Sequence, residues 1–280
     1  MGKFTGVLLA SDYDNTLLDT ESARRSGGEA PRVSERNQAA LRYFMEQGGR
    51  FAVATGRALP AFRMFADQVP MNAPAVVCNG AALYDFQAET YLETMELPEA
   101  VRVQGQAVLD RFPAAAVEAY HLDNVIHAVR PNALTRQHQH VTHAGVETAD
   151  SLLEVPMPLV KIMFEDEPQS LRSLWDYVRQ QPWAADYEIF FSDRSLLEVT
   201  RKGASKGAMV ARLAERLGIS REHIYCAGDE NNDLSMLTMA AQGFAPANCV
   251  ENVKNCGAAI VADCDHDTLA EIVAILDKRY

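Results

Sequence analysis

The short apolar run Val7-Leu8-Leu9-Ala10 passes through Ser11 straight into Asp12, Asp14 and Thr16. A buried strand that ends in two carboxylates narrows the choice of fold. Ionised groups leaving an apolar interior need solvent, a partner or a metal. A parallel α/β sheet provides such a place, because its ligands bind beyond the carboxyl ends of the strands. The next residues keep to that scheme. Thr5 to Ala10 reads as a buried strand, and Ser34 is placed to cap a helix with Leu41, Phe44 and Met45 on one face. That helix should stop at Gly48-Gly49. Phe51-Ala52-Val53-Ala54 is the next strand, a helix follows Pro60, and Ala75-Val76-Val77-Cys78 is a third strand. Strands alternating with helices predict an α/β fold with a Rossmann-like parallel sheet.

The rhythm changes after Asn79-Gly80. Strand-like segments at Leu159–Phe164 and Tyr187–Phe191 are less uniformly apolar and flank a helical stretch at Gln169–Gln180. This reads as an inserted α/β domain over 85–191, between a first core part at 1–84 and a second at 192–280. Ser192-Asp193-Arg194-Ser195 has the composition of a hairpin turn leading back out through Leu196–Thr200. The α/β rhythm then resumes. Lys206 to Leu217 is an amphipathic helix closed by Gly218, and His223–Ala227 is a strand ending at Gly228-Asp229. Leu269, Ile272, Val273 and Leu276 mark a final helix.

Bulk properties exclude more than they identify. The chain has 280 residues, 48% of them hydrophobic, enough for one large domain or two ordinary ones. A net charge of −12 argues against a nucleic-acid or anionic-membrane partner. No apolar run approaches the ~18 residues of a membrane span, and no signal peptide is visible. A cytoplasmic protein is expected, as a monomer or small homo-oligomer. The cysteines, 78, 226, 249, 256 and 264, are odd in number with no Cys-x-x-Cys pair, so reduced thiols are expected.

Four separated motifs follow predicted strands or open a helix. They are Asp12-Tyr13-Asp14-Asn15-Thr16, Thr55-Gly56-Arg57, Lys206 within Gly203-Ala204-Ser205-Lys206-Gly207, and Gly228-Asp229-Glu230-Asn231-Asn232-Asp233. In this order, with a large insert between the second and third, the set resembles the haloacid dehalogenase-like hydrolases. These are mostly Mg2+-dependent phosphatases. The insert is similar to the family's larger, type IIB α/β cap. Val76-Val77-Cys78-Asn79-Gly80 before it and the Lys206 motif after it resemble the Cof-like branch.

The resemblance implies a role for each matching residue. Asp12 would be the nucleophile that becomes an aspartyl-phosphate, and Asp14 the acid and then the base. Thr55, the Gly56 amide and Lys206 would hold phosphate oxygens, with Asn232 and Asn79 on phosphate or substrate. Asp229 would complete a Mg2+ site with the Asp12 carboxylate and the Asp14 backbone carbonyl, and Asp233 would support the metal's waters. The partner implied is a small phosphorylated molecule, with sugar phosphates the leading class. A dedicated sugar-phosphate phosphatase or a phosphomutase is the near alternative. A non-catalytic binding protein on the same fold is a third reading, disfavoured because each chemically essential position is filled.

Some features depart from the pattern or fall outside it. Asn15 stands where the family most often has Gly, and Asn tolerates left-handed backbone angles better than most residues. The polar loop over 20–32 is longer than the pattern needs and reads as a lid near the site or a tolerated surface insertion, the insertion being favoured. Arg57 is expected to orient its loop. His138, His140 and His143 match no zinc spacing and have no acidic ligand near them in sequence, so they read as cap surface or substrate-facing loop. Met157, Met163 and Trp175 read as cap core.

Overall fold

The structure, a computed structural model, describes residues 2–22, 31–122, 125–142 and 145–280, with side chains in those stretches except at 140–142. Most of the 20–32 loop, the His140 side chain and His143 therefore lie outside the described residues.

The chain opens with β1 (Leu8–Ser11), α1 (Glu35–Glu46), β2 (Arg50–Val53), α2 (Leu59–Ala66), β3 (Ala75–Val77), β4 (Ala82–Asp85) and β5 (Thr90–Thr94). It continues with α3 (Ala100–Arg111), β6 (Ala116–Tyr120), β7 (Ile126–Val129), α4 (Ala133–Thr142), β8 (Val146–Ala149), β9 (Lys161–Glu165), α5 (Pro168–Val178), β10 (Tyr187–Asp193) and β11 (Leu196–Arg201). The last part is α6 (Lys206–Leu217), β12 (Ile224–Ala227), α7 (Leu234–Met239), β13 (Gln242–Pro246), α8 (Glu251–Lys254), β14 (Ala259–Val261) and α9 (Thr268–Arg279). None of the described helices is long and apolar enough to cross a membrane. All the cysteines are free thiols.

Two compact units emerge. One is built from Met1–Gly56, Phe62–Leu92 and Ser205–Tyr280, the other from Arg57–Ala61 and Glu93–Ala204. The first holds a parallel sheet in the order β14-β13-β12-β1-β2. β1 lies inside the sheet, with β2 on one side and β12 on the other. The chain therefore reverses its direction of travel across the sheet at β1, the kind of switch point where α/β folds place ligands. Ser11 pairs with both Val53 and Ala227, so three strands end level with one another. β3 pairs antiparallel with β4 and belongs to a separate sheet, β3-β4-β5. A lone parallel bridge, Ala54 to Val76, still lays it beside β2.

Local chemistry accounts for the helix boundaries. Ser34 accepts from the Asn37 amide at 3.0 Å and starts α1. Ser205 does the same for α6, accepting from the Ala208 amide at 3.2 Å, and Gly218 ends that helix in the left-handed conformation. Met209, Val210, Leu213 and Ala214 bury the inner face of α6.

The second unit carries a six-stranded sheet in the order β10-β11-β9-β6-β7-β8. One face supplies Val117, Ala119, Ile162, Phe164, Leu197 and Val199 to a core completed by α3 and α5. Met157 and Trp175 pack against that core. Met163 is buried too, but it alternates onto the opposite face. The insert read from the sequence ended at 191, whereas this unit runs on to Ala204. The reason is pairing: β11 turns back at Asp193 and lies between β10 and β9, so it stays in the sheet.

Candidate active site

Four strand ends of the first unit contribute one group each. Asp12 follows β1, with its amide donating to the Ala227 carbonyl at 2.9 Å. Thr55 follows β2, Asn79 follows β3 and Asp229 follows β12. Lys206 is the first residue of α6 and is 1% exposed. Its Nζ stands 2.7 Å from Asp12 Oδ1 and 2.7 Å from Asp233 Oδ1. Asp12 Oδ1 also accepts from the Tyr13 amide at 2.7 Å. Asp233 Oδ2 accepts from the amides of Asp229 and Glu230 at 2.9 and 3.0 Å, which tightens the 3-10 turn Asn231–Asp233.

Thr16 Oγ1 donates to Asp229 Oδ1 at 2.8 Å. Sequence reasoning gave Thr16 no role. The signal was present in the Asp-x-Asp-x-Thr spacing, which returns a hydroxyl toward the strand ends after one tight loop. That loop depends on Asn15, whose φ is 53°. The Asn15 side chain then does what glycine could not. Its Oδ1 accepts from Thr20 Oγ1 and from the Glu21 amide at 3.2 and 3.0 Å.

A second group adjoins the first. Asn232 Nδ2 donates to Asn79 Oδ1 at 2.9 Å, and the Asn79 amide donates to the Thr55 carbonyl at 3.1 Å. A Cβ added at Gly56 would lie 3.0 Å from the Asn79 side-chain amide, so Gly56 sits directly against it. Asn232 Oδ1 is buried without a hydrogen-bond partner among the described residues. A lone acceptor of this kind suits a ligand donor such as a hydroxyl or a coordinated water. Gly80 has φ +92°, and a Cβ there would fall 2.1 Å from the Ser205 carbonyl oxygen. Its bareness lets Asn79 approach the start of α6 and hence Lys206. Gly228 serves Asp233 in the same way, since a Cβ there would lie 2.4 Å from Asp233 Cβ. Asp14 is half-buried beside the cluster, in a bridge with Leu18.

The electrostatics of this arrangement are unbalanced. Burial pushes the Asp12 carboxyl up to about 8, Asp233 adds to the rise and Lys206 draws it back. Asp229 is held well above the usual carboxylate range, again by burial first and then by Asp12 and Asp233. Burial alone would lower Lys206, but Asp12 and Asp233 more than reverse this and keep it charged. One ammonium faces Asp12, Asp229 and Asp233, which offer carboxylate oxygens all within 4.8 Å of one another. The donors are all oxygen, as a hard divalent cation requires, and such a cation would supply the missing positive charge.

A parallel sheet with its acids, lysine and hydroxyls gathered at a switch point is chemically suited to handling a phosphoryl group. The chain belongs to the haloacid dehalogenase-like hydrolase family, whose sequence model matches residues 9–273. It is an enzyme, a phosphoric monoester hydrolase of the Cof-like kind. It is similar to pyridoxal phosphate phosphatase YbhA of Escherichia coli, 26% identical over 278 residues that cover 96% of this chain and 98% of the relative. It is also similar to 5-amino-6-(5-phospho-D-ribitylamino)uracil phosphatase YitU of Bacillus subtilis, 25% identical over 274 residues covering 95% and 96%. The solved structure of BT4131, a subclass IIB sugar phosphatase, superposes with a TM-score of 0.80 at 20% identity, covering 97% of this chain and 99% of that one. That likeness speaks for the fold.

Proposed function

We propose that the enzyme is a Mg2+-dependent phosphatase that hydrolyses a small phosphorylated metabolite through an aspartyl-phosphate on Asp12. The observation that carries this reading is the position of Lys206 Nζ, 2.7 Å from both Asp12 and Asp233 at the level strand ends. A lysine so placed fixes the attacking oxygen and sets a positive charge where the phosphoryl group must arrive.

In this reading an Asp12 carboxylate oxygen attacks phosphorus and the ester bond to the leaving oxygen breaks. Asp14 gives that oxygen its proton. A water then attacks the phosphorus of the acyl phosphate, Asp14 takes the water's proton, and Asp12 is released as carboxylate with inorganic phosphate. Splitting one displacement in two lowers a barrier that is very high for phosphate monoesters in water. Thr55, the Gly56 amide and Lys206 bind the phosphate oxygens. Asn79 and Asn232 hold each other in place and face phosphate or substrate. Asp12, Asp229 and the Asp14 backbone carbonyl would hold Mg2+, with Asp233 supporting its waters. When bound, the cation supplies charge neutralisation between nucleophile and phosphate.

The substrate class is a phosphomonoester of a small polar alcohol, a sugar phosphate or a close equivalent. The relatives named above support this breadth, since pyridoxal phosphate, a phosphorylated ribitylaminouracil and sugar phosphates share the ester and differ in the leaving group. The test is turnover of p-nitrophenyl phosphate and a phosphometabolite panel with Mg2+, comparing the wild type with Asp12→Asn. Turnover by the wild type, stopped by EDTA and restored by Mg2+, and its absence in a folded Asp12→Asn protein, is expected. Appreciable activity in that variant removes Asp12 as nucleophile, and EDTA-insensitive turnover removes the metal.

A further inference from the structure

The second unit contains its own buried ionisable cluster, assembled from parts that the chemistry above does not use. Glu118 in β6 pairs opposite Met163 in β9, and Ala116 pairs opposite Glu165. Glu118 and Glu165 are therefore diagonal neighbours on one face of the sheet, the face turned away from the apolar core. Both are 0% exposed. α4 brings His138 over them, with Nδ1 2.8 Å from Glu118 Oε2 and 3.3 Å from Glu165 Oε1. The sequence reading found no acidic partner for His138, because these two strands are remote along the chain. The structure supplies two partners.

The surroundings treat the two carboxylates differently. Glu118 is held in place: Tyr120 Oη donates to Oε2 at 2.6 Å, and Gln139 Nε2 donates to Oε1 at 3.1 Å. Glu165 is not. Neither of its oxygens has a hydrogen-bond partner of good geometry among the described residues. The nearby cation, Lys161, is 3.2 Å from Glu198 and 4.3 Å from the centre of the Tyr120 ring. A buried carboxylate that faces a second carboxylate, and shares with it one imidazole, has too few donors and too little positive charge around it.

We propose that Glu118, His138 and Glu165 form a second metal site, for Zn2+ or a similar borderline divalent ion. The three offer one ligand atom each, all within 4.8 Å of one another. Ligands ~2.0–2.1 Å from a tetrahedral Zn2+ stand ~3.3 Å apart, and the His138–Glu165 separation of 3.3 Å matches that spacing. The 2.8 Å His138–Glu118 contact must open by a few tenths of an ångström as the metal replaces the proton between them. Three protein ligands leave one position open. The imidazole sets this site apart from the all-oxygen cluster of the other unit, because Mg2+ prefers oxygen donors while Zn2+ accepts nitrogen. Tyr120 and Gln139 orient the Glu118 ligand, as the outer partners of metal sites commonly do.

The experiment uses the full-length protein equilibrated with Zn2+ in excess Mg2+, then desalted and analysed for metal. The wild type is expected to retain about one Zn2+ per chain. His138→Gln and Glu165→Gln are each expected to lose it while keeping their far-UV circular dichroism. A wild type that retains no Zn2+, or a folded variant that still does, overturns the assignment. Glu165→Gln keeps the side chain's shape and decides the matter if His138→Gln does not fold. If neither folds, Co2+ loaded into the wild type decides it. Ligand-field bands of a low-coordinate, nitrogen-containing site support the proposal, and their absence overturns it.

Discussion

The two buried charge clusters solve the same electrostatic problem with different materials. In the first unit, Asp12, Asp229 and Asp233 surround a lysine that is itself buried and charged. In the second, Glu118 and Glu165 share a single histidine, a weaker and conditional cation. The lysine cluster is a fixed charge framework, with Asp233 locked by two backbone amides and by Lys206. The histidine cluster leaves one carboxylate largely unattended. A permanent internal cation preorganises a site for reacting anions. An imidazole between two carboxylates is closer to an empty socket.

The sharpest way to break this contrast is to remove one charged group from each cluster in turn. Lys206→Met leaves two buried carboxylates without their shared ammonium, and deleting one member of a buried ion pair costs ~3–5 kcal/mol. Chemical denaturation in EDTA should show that loss, together with loss of turnover. In the same buffer Glu165→Gln should cause no comparable loss, because it removes a buried charge that lacks donors. Similar destabilisation in both variants would erase the distinction between framework and socket.

A smaller effect sharpens the role of the first cluster. The folded Asp12 carboxyl titrates at about 8, above its usual 3.8. The metal-free protein therefore takes up a proton there on folding. That stabilisation is complete below the unfolded value and is lost as pH rises toward the folded one. Divalent cations compete with the same proton, so Mg2+ binds more tightly as pH rises. Thermal unfolding in EDTA should show Tm falling from about pH 6 to about pH 8, and the increment from added Mg2+ should grow over that range. An increment that shrinks with pH would remove Asp12 from the metal site. The smallest effect belongs to the cap of α6. Ser205→Ala should lower stability by about 1 kcal/mol. Turnover should fall further than that loss alone explains, since Lys206 is the next residue.

The parts of this molecule that were legible in sequence are those specified over a few neighbouring residues. Ser34 and Ser205 announced their helices, Gly218 ended one, and apolar runs broken by Asp12, Thr55 and Asp229 marked strand ends. Those same breaks are what bring the candidate residues to one edge. What depends on cross-strand register was not legible. Glu118 and Glu165 read as ordinary polar positions until β6 and β9 pair. β3 read as one more parallel strand, yet it gives most of its pairing to β4. Leu196–Thr200 read as the way out of the insert, yet the β10–β11 hairpin keeps it in the sheet. In each case the deciding partner lay on another strand and carried no local signal.

The level ending of β2, β1 and β12 has a consequence for how this chain can change in length. Ser11, Val53 and Ala227 form one rung. One extra residue within β12 would advance Asp229 by ~3.3 Å and turn its side chain to the opposite face of the sheet. The same holds for Asp12 and Thr55 in their own strands. Insertions and deletions are thereby barred from the strands that feed the rung and are diverted into the connections on either side. The sheet acts as a ruler, and natural variation in length has room only where the ruler is not being read.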